Sequence, residues 1–477
     1  MRIILAFFIL AVSGCVSSPT DAPGLPARPV FQSERLSIAE DKTHHVDGTW
    51  RSRGYGWVLE IENGVITQYE SGVHGCYARP EGAAGQTAML SLPFSHYKVT
   101  GDGQSAMFMY GPDSVGPIFD RLVALPNDCL NPTDGSLEAS FAVFISMFEE
   151  HYAHFNDRGA DWLQLKGQAL EIFNNNKTEE GFLDAADHIL SALQDSHTRL
   201  IAFTADGRRR VQYGLGQTLS NIRNENRETE WLIGLIVQLT DRLLDPGAQH
   251  VAEDRILWGL IDGEIGYLQV FQMGGFAGLE IDDPEWAASE LRIMDKTLDE
   301  AFAEFSGKKA VILDLSNNRG GYDEIARRLA ARFTDTSFHA YSVSAKGENL
   351  QPVIKVIEPE RDNRFIGPVF LLTSDVTVSG GEIATLSLRQ LPNVTQIGQP
   401  TRGAFSTPLS KVLPNGWILE LANETFASPD GEVFAGRGIP PQVSFVVFDA
   451  EDPVASHGDA IEAIIHLIRE TDETTTR

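Results

Sequence analysis

The sequence predicts an α/β protein in which a layered core follows a helical segment and a small N-terminal β domain. Three observations predict it. From residue 256 onward, apolar runs of strand length alternate with stretches of helical periodicity, the rhythm of α/β folds. Two of those runs, Ala310–Leu315 and Val369–Thr373, are apolar almost throughout, as in strands buried on both faces. Upstream, residues 46–130 carry short β-type runs punctuated by glycine.

The elements follow in order. Arg2 precedes a short apolar run, Ile3 to Val12, and then Ser13-Gly14-Cys15. The run is too short for a permanent membrane span, and its layout is that of an export signal over 1–14. Val12-Ser13-Gly14-Cys15 resembles the bacterial lipobox, which implies a lipid on Cys15 and attachment to a membrane through it. Val16 stands where inner-membrane retention often uses Asp. The expected location is therefore the bacterial cell envelope, on the outer membrane facing the periplasm. Residues 15–44, rich in Pro, Ser and Ala, read as a tether.

Residues 45–132 form the β domain, with strands at Trp57–Ile61 and Met107–Tyr110 and a hairpin signal at Asn63-Gly64. Cys76 and Cys129 remain once Cys15 carries lipid. An exported pair commonly bridges, while two separate buried thiols are the alternative. Three cysteines without close spacing do not make a zinc site.

Over 136–200, Phe141, Phe144, Ile145, Phe148, Tyr152 and Phe155 recur at helical spacing, as do Phe182, Ala185, Ala186, Ile189, Leu190 and Leu193. Such stripes mark core. Residues 205–255 are less regular, with a helix at Trp231–Leu244. The core, 256–450, holds a strand at Ile265–Phe271, a helix at 286–305 and the strand Ala310–Leu315. A helix at Tyr322–Phe333, the strand Val369–Thr373 and a helix at Gly380–Leu391 follow. A C-terminal helix and tail occupy 451–477.

The net charge is −28, from 38 Lys and Arg against 66 Asp and Glu. The acidic residues are dispersed, and no cluster of Lys and Arg offers a nucleic-acid footprint, so nucleic acid is excluded as a partner.

Three segments could carry chemistry. In Ser374-Asp375-Val376-Thr377-Val378-Ser379-Gly380-Gly381-Glu382, a serine sits between a buried strand and a helix. The helix N-terminus favours developing negative charge there, and Gly380 lets a carbonyl approach its N–H. Taken alone, that segment reads more readily as an ordinary N-cap serine. In Asp314-Leu315-Ser316-Asn317-Asn318-Arg319-Gly320-Gly321, paired glycines follow a buried strand. In Asp195-Ser196-His197-Thr198, a histidine follows a helix and could serve as base to a serine nucleophile.

Together these segments resemble the tail-specific, or C-terminal processing, serine peptidase family. The resemblance is best over 256–447. It includes IGYLQV, LDLSNNRGG, TVSGGE, GQPTRGAF, LPNGWILEL and SPDGEVFAGRGIPP in family order. It implies a crotonase-like core, Ser379 as nucleophile, oxyanion N–H groups from Gly380 and Gly320, and no metal or organic cofactor. It implies a peptide or protein substrate.

Ala404 occupies the slot where the lysine-using branch places its base. The chain is closer to the tricorn-type branch, where a Ser-His pair precedes the nucleophile, here Ser196-His197. That branch's late Glu aligns with Ala435, leaving Glu432 as a candidate substitute. No PDZ-like segment is evident, so the β domain either recognises substrate or only packs. Two alternatives share the fold: a catalytically impaired relative acting as a binding module, and an ester or amide hydrolase.

Overall fold

The structure, a computed structural model, describes residues 34–36, 46–80, 87, 90, 94–111, 116–131, 134–347 and 350–475. The expected signal, Cys15 and most of the tether lie outside the described residues.

The core is a seven-stranded sheet. Its order is Gln249–Val251, Ile256–Ile261, Ile265–Val270, Ala310–Asp314, Val369–Thr373, Val394–Gly398 and Val443–Ser444. The first three strands run antiparallel, and from Ile265–Val270 onward neighbours are parallel. Parallel strands need crossovers, and helices Trp286–Phe305, Asp323–Ala331 and Gly380–Leu388 serve within them.

Alternation along each strand explains the apolar runs. Val311, Leu313, Val369 and Leu371 join the helices of one face, packing with Met294, Leu298, Ile325 and Ile383. Ile312, Leu372 and Ile397 join the other, packing with Trp231, Leu235, Ile461 and Ile464 of helices Glu228–Gln238 and Pro453–Thr475. Each such burial contributes about 1.5–3 kcal/mol. A polar cluster on Asp314 interrupts this core. Asp314 Oδ2 accepts from Tyr267 Oη at 2.7 Å and lies 2.7 Å from His457 Nε2. Burial works against that carboxylate, but His457, Ser316 and Tyr267 outweigh it and hold its pKa below the ordinary range. The C-terminal helix is thereby pinned to the strand that leads into the Ser316–Gly321 turn.

Helices Leu137–His151, Trp162–Asn175 and Glu179–Leu193 carry the aromatic stripes. Phe141, Phe144, Phe148 and Phe182 pack on Trp417, Leu419 and Leu421. The hairpin Arg199–Thr204/Gly207–Gln212 pairs edge-on with Ile418–Ala422, which pairs with Pro408–Val412. A division at 200/205 therefore falls inside one hairpin, and helical segment and core share a sheet. The expected helix at Trp231–Leu244 begins at Glu228 and ends in a wider turn over Leu239–Leu243.

The β domain is an antiparallel eight-stranded sheet. Its order is Glu34–Arg35, His96–Val99, Ser105–Met109, Ile118–Leu122, Gly48–Ser52, Trp57–Glu62, Val65–Gly72 and Gly75–Ala78. Asn63 and Gly64 turn one hairpin with φ of 50° and 80°, which explains why Asn-Gly stands there. Cys76 and Cys129 form a disulfide.

The domain docks on the core through buried charge. Glu70 pairs with Lys411 and with Arg79, each at 2.7 Å. Lys411 Nζ also donates to the carbonyls of Tyr55 and Gly56 at 2.9 and 2.6 Å. Buried charges require such satisfaction, so the docking geometry is closely specified.

Candidate active site

The strand Val369–Thr373 ends in a turn sewn to its neighbour. Ser374 Oγ donates to the Ser316 carbonyl at 2.6 Å, Thr377 Oγ1 to that of Leu315 at 2.7 Å, and Val378 N–H to that of Asn318 at 3.2 Å. Ser379 then stands at the N-cap position of helix Gly380–Leu388 with φ 56° and ψ −121°. A non-glycine residue pays on the order of 1–3 kcal/mol for such backbone, and only surrounding bonds keep it there. The Ser379 N–H donates to the Ala404 carbonyl at 3.1 Å and to Glu382 Oε2 at 3.3 Å. The Ser379 carbonyl accepts from Glu382 and Ile383.

Glu382 binds this helix to the loop after it. Its carboxylate accepts from Thr401 Oγ1 and Gly403 N–H at 2.6 Å and from Ala404 N–H at 2.8 Å. Burial raises its pKa against those bonds. Ala404 itself is buried, and the expected lysine slot is empty of charge.

The two glycine turns meet beside Ser379. A Cβ on Gly320 would lie 2.6 Å from Ser379 Cβ, so only glycine permits this approach. The Gly320 N–H, however, donates to Asn318 Oδ1 at 2.9 Å. This corrects the expectation that Gly320 supplies an oxyanion donor, because an Asx bond already occupies that hydrogen. Gly321 is placed better. A Cβ on Gly380 would lie 3.2 Å from Gly321 N, and among the described residues neither of these two N–H groups donates to a protein acceptor. Gly321 lines the same cavity as Ser379.

His197 lines that cavity too. Gln194, with φ 49°, ends the preceding helix, and Asp195 Oδ1 accepts the His197 N–H at 3.0 Å. Asp195 is held by Tyr152 Oη at 3.0 Å and by Arg158 at 3.4 Å. Arg158 also donates to the Gly403 carbonyl at 2.7 Å, tying the histidine turn to the loop that Glu382 grips. Burial, only partly offset by Asp195 and the Ser406 backbone, pushes the His197 pKa down to about 4. The ring is therefore neutral at neutral pH and can accept a proton.

Ser196 is not brought into this group. It is buried, does not line the cavity, and its Oγ has no hydrogen-bond partner among the described residues. Ala435 is buried, while Glu432 pairs at the surface with Arg437 at 2.8 Å and does not line the cavity. Among the described residues no group of three or more His, Cys, Asp or Glu could hold a metal ion.

The cavity measures 660 Å³ and has walls from both domains. Tyr55, Trp57, Phe94 and Tyr110 of the β domain face it, with Tyr55 stacked on Trp57 and Phe94 on Tyr110. Tyr55 Oη donates to Glu424 Oε1 at 2.7 Å. On the other side, Gly111 sits so close to Tyr322 that a Cβ would lie 2.4 Å from its hydroxyl. The β domain is thus a roof across the site.

Residues 264–445 match the model of peptidase family S41. This segment is an S41 peptidase domain. A stretch of 140 residues is 31% identical to the carboxy-terminal processing protease CtpA of Bacillus subtilis, covering 29% of each chain, so the chain spans under a third of that relative's length. A crystal structure described as a candidate peptidase from Parabacteroides merdae is similar in fold. Its TM-score is 0.55 at 22% identity, covering 70% of this chain and 96% of that one. The β-domain roof lies outside the S41 segment. Gly321, Glu382 and Arg158 escaped the sequence reading, although the first two stand within its quoted segments. The roof's aromatic residues carried no sequence signal.

Proposed function

We propose that the chain is an exported, lipid-anchored serine peptidase. The observation that carries this reading is the convergence on one cavity of Ser379, held in strained backbone at a helix N-terminus, and the neutral His197. His197 takes the Ser379 proton as Oγ attacks a peptide carbonyl. The N–H groups of Gly380 and Gly321 receive the oxyanion. His197 then protonates the leaving amine, and water releases the acyl group from Ser379. Lipid on Cys15 places the enzyme at the outer membrane, facing the periplasm.

A fluorophosphonate probe tests the chemistry. Expected is covalent labelling of the wild type that disappears in Ser379→Ala; an unlabelled wild type would sink the reading. Palmitate labelling lost in Cys15→Ala tests the anchor. One observation favours the binding-module reading: among the described residues His197 Nδ1 has no hydrogen-bond partner, while the ring meets the Ser406 backbone. The probe separates the two.

A further inference from the structure

One side chain in the cavity breaks the usual rule for strands. On the edge strand Val353–Ile357, apolar Ile354 and Val356 face solvent, 42% and 50% exposed, while Lys355 points inward at 7%. An apolar residue facing in would cost nothing, so burial of an ammonium needs a partner. Among the described residues Lys355 makes neither a hydrogen bond nor an ion pair.

Its neighbours do not supply one. Five cationic side chains besides His197 line the cavity: Arg53, Arg79, Arg199, Arg327 and Lys355. Each arginine already holds a carboxylate, from Asp120, Glu70, Glu420 and Glu324 respectively. Glu424 is engaged by Tyr55 Oη and by the Thr407 N–H at 3.1 Å. Asp323 shares the neighbourhood without an ion pair to Lys355, and burial pushes its carboxyl up to about 6. Burial, reinforced by Arg327, brings the Lys355 ammonium down to about 7 despite Asp323 and Glu424. An entering anion would restore the charged form.

We propose that Lys355 anchors a carboxylate of the bound peptide in the cavity it shares with Ser379. This rests on the peptidase reading of the same cavity. The carboxylate comes either from an acidic side chain or from the chain's C-terminus. Lys355 is a positioning residue: it fixes the peptide and takes no part in bond breaking.

The test uses the full chain and one apolar fluorogenic peptide in three forms. The first has an internal Gln and an amidated end, the second an internal Glu and an amidated end, the third an internal Gln and a free end. Wild type should cleave one carboxylate form about tenfold better than the neutral form, through KM. Lys355→Met should bring that ratio to about one, and Lys355→Arg should keep it. Preference for the second or third form identifies the source. A wild type without preference, or a preference that survives Lys355→Met, overturns the proposal.

Binding of the same peptides to Ser379→Ala, followed by the fluorescence of Trp57 and Trp286 in the cavity wall, gives a readout without turnover. Carboxylate-selective binding lost in Lys355→Met, with no cleavage by wild type, sinks the peptidase reading and keeps the anchor. Equal binding of all forms sinks the anchor. Unchanged thermal unfolding of Lys355→Met or Lys355→Arg secures the comparison against misfolding.

Discussion

The S41 core and the β-domain roof line one cavity but are held by different means. The core's central strands bury apolar side chains on both faces, and a polar cluster of Asp314 with Tyr267 and His457 lies among them. The roof has a smaller core around Trp50, Phe108 and Phe119, to which Leu409 of the core chain adds. It reaches the site through polar bonds, Glu70 to Lys411 and Tyr55 to Glu424. The difference teaches where each property resides. Ser379 sits on an element packed against that apolar core. The roof is fixed to the rest of the chain by buried polar bonds, with Tyr77 and Leu409 packed across the seam.

The largest effect should come from the core. His197→Ala should lower turnover roughly 10⁴-fold or more, close to the loss in Ser379→Ala, since such residues act as a unit. Near-normal turnover would place the base elsewhere. Because His197 stays neutral down to about 4, the acid limb of kcat/KM should lie near that value rather than near 6.5. The same group binds fewer protons folded than unfolded between those two values. Native stability should therefore fall as pH drops through that window.

Next comes the hinge between the two regions. Lys411→Met leaves Glu70 buried with Arg79 and the Val412 N–H as its remaining partners, and should cost about 3 kcal/mol. Calorimetry should show the loss and KM should rise, while the fluorophosphonate probe still labels Ser379. Loss of labelling would mean that the core cannot hold its site without the roof. The smallest effect belongs to Tyr55→Phe. It deprives Glu424 of one donor, at about 1–3 kcal/mol, and should raise KM severalfold with kcat little changed.

The core was legible because its signals are local. An apolar run, a polar turn and a helix pattern place Ser379 and the Gly320-Gly321 turn within short stretches of chain. The S41 segment bears out the resemblance those stretches suggested. Which of two adjacent glycines offers its hydrogen was not legible, since the Asn318 side chain decides it through a bond that spacing does not display. The roof was legible as a β domain, through Asn63-Gly64 and its alternating strands, but its role was not. Glu70 and Lys411 are far apart in the chain, and Tyr55, Trp57, Phe94 and Tyr110 look like ordinary strand residues. Lys355 hides for a similar reason: in Val353–Ile357 it reads as the solvent-facing position of a strand, and only the fold reverses the faces.

The buried Glu70–Lys411 pair has a consequence for what can enter. That bond ties the roof to the core beside the site, and a chamber of 660 Å³ is small beside any folded domain. On the proposed reading, an extended stretch of chain fits such a chamber and a folded domain does not.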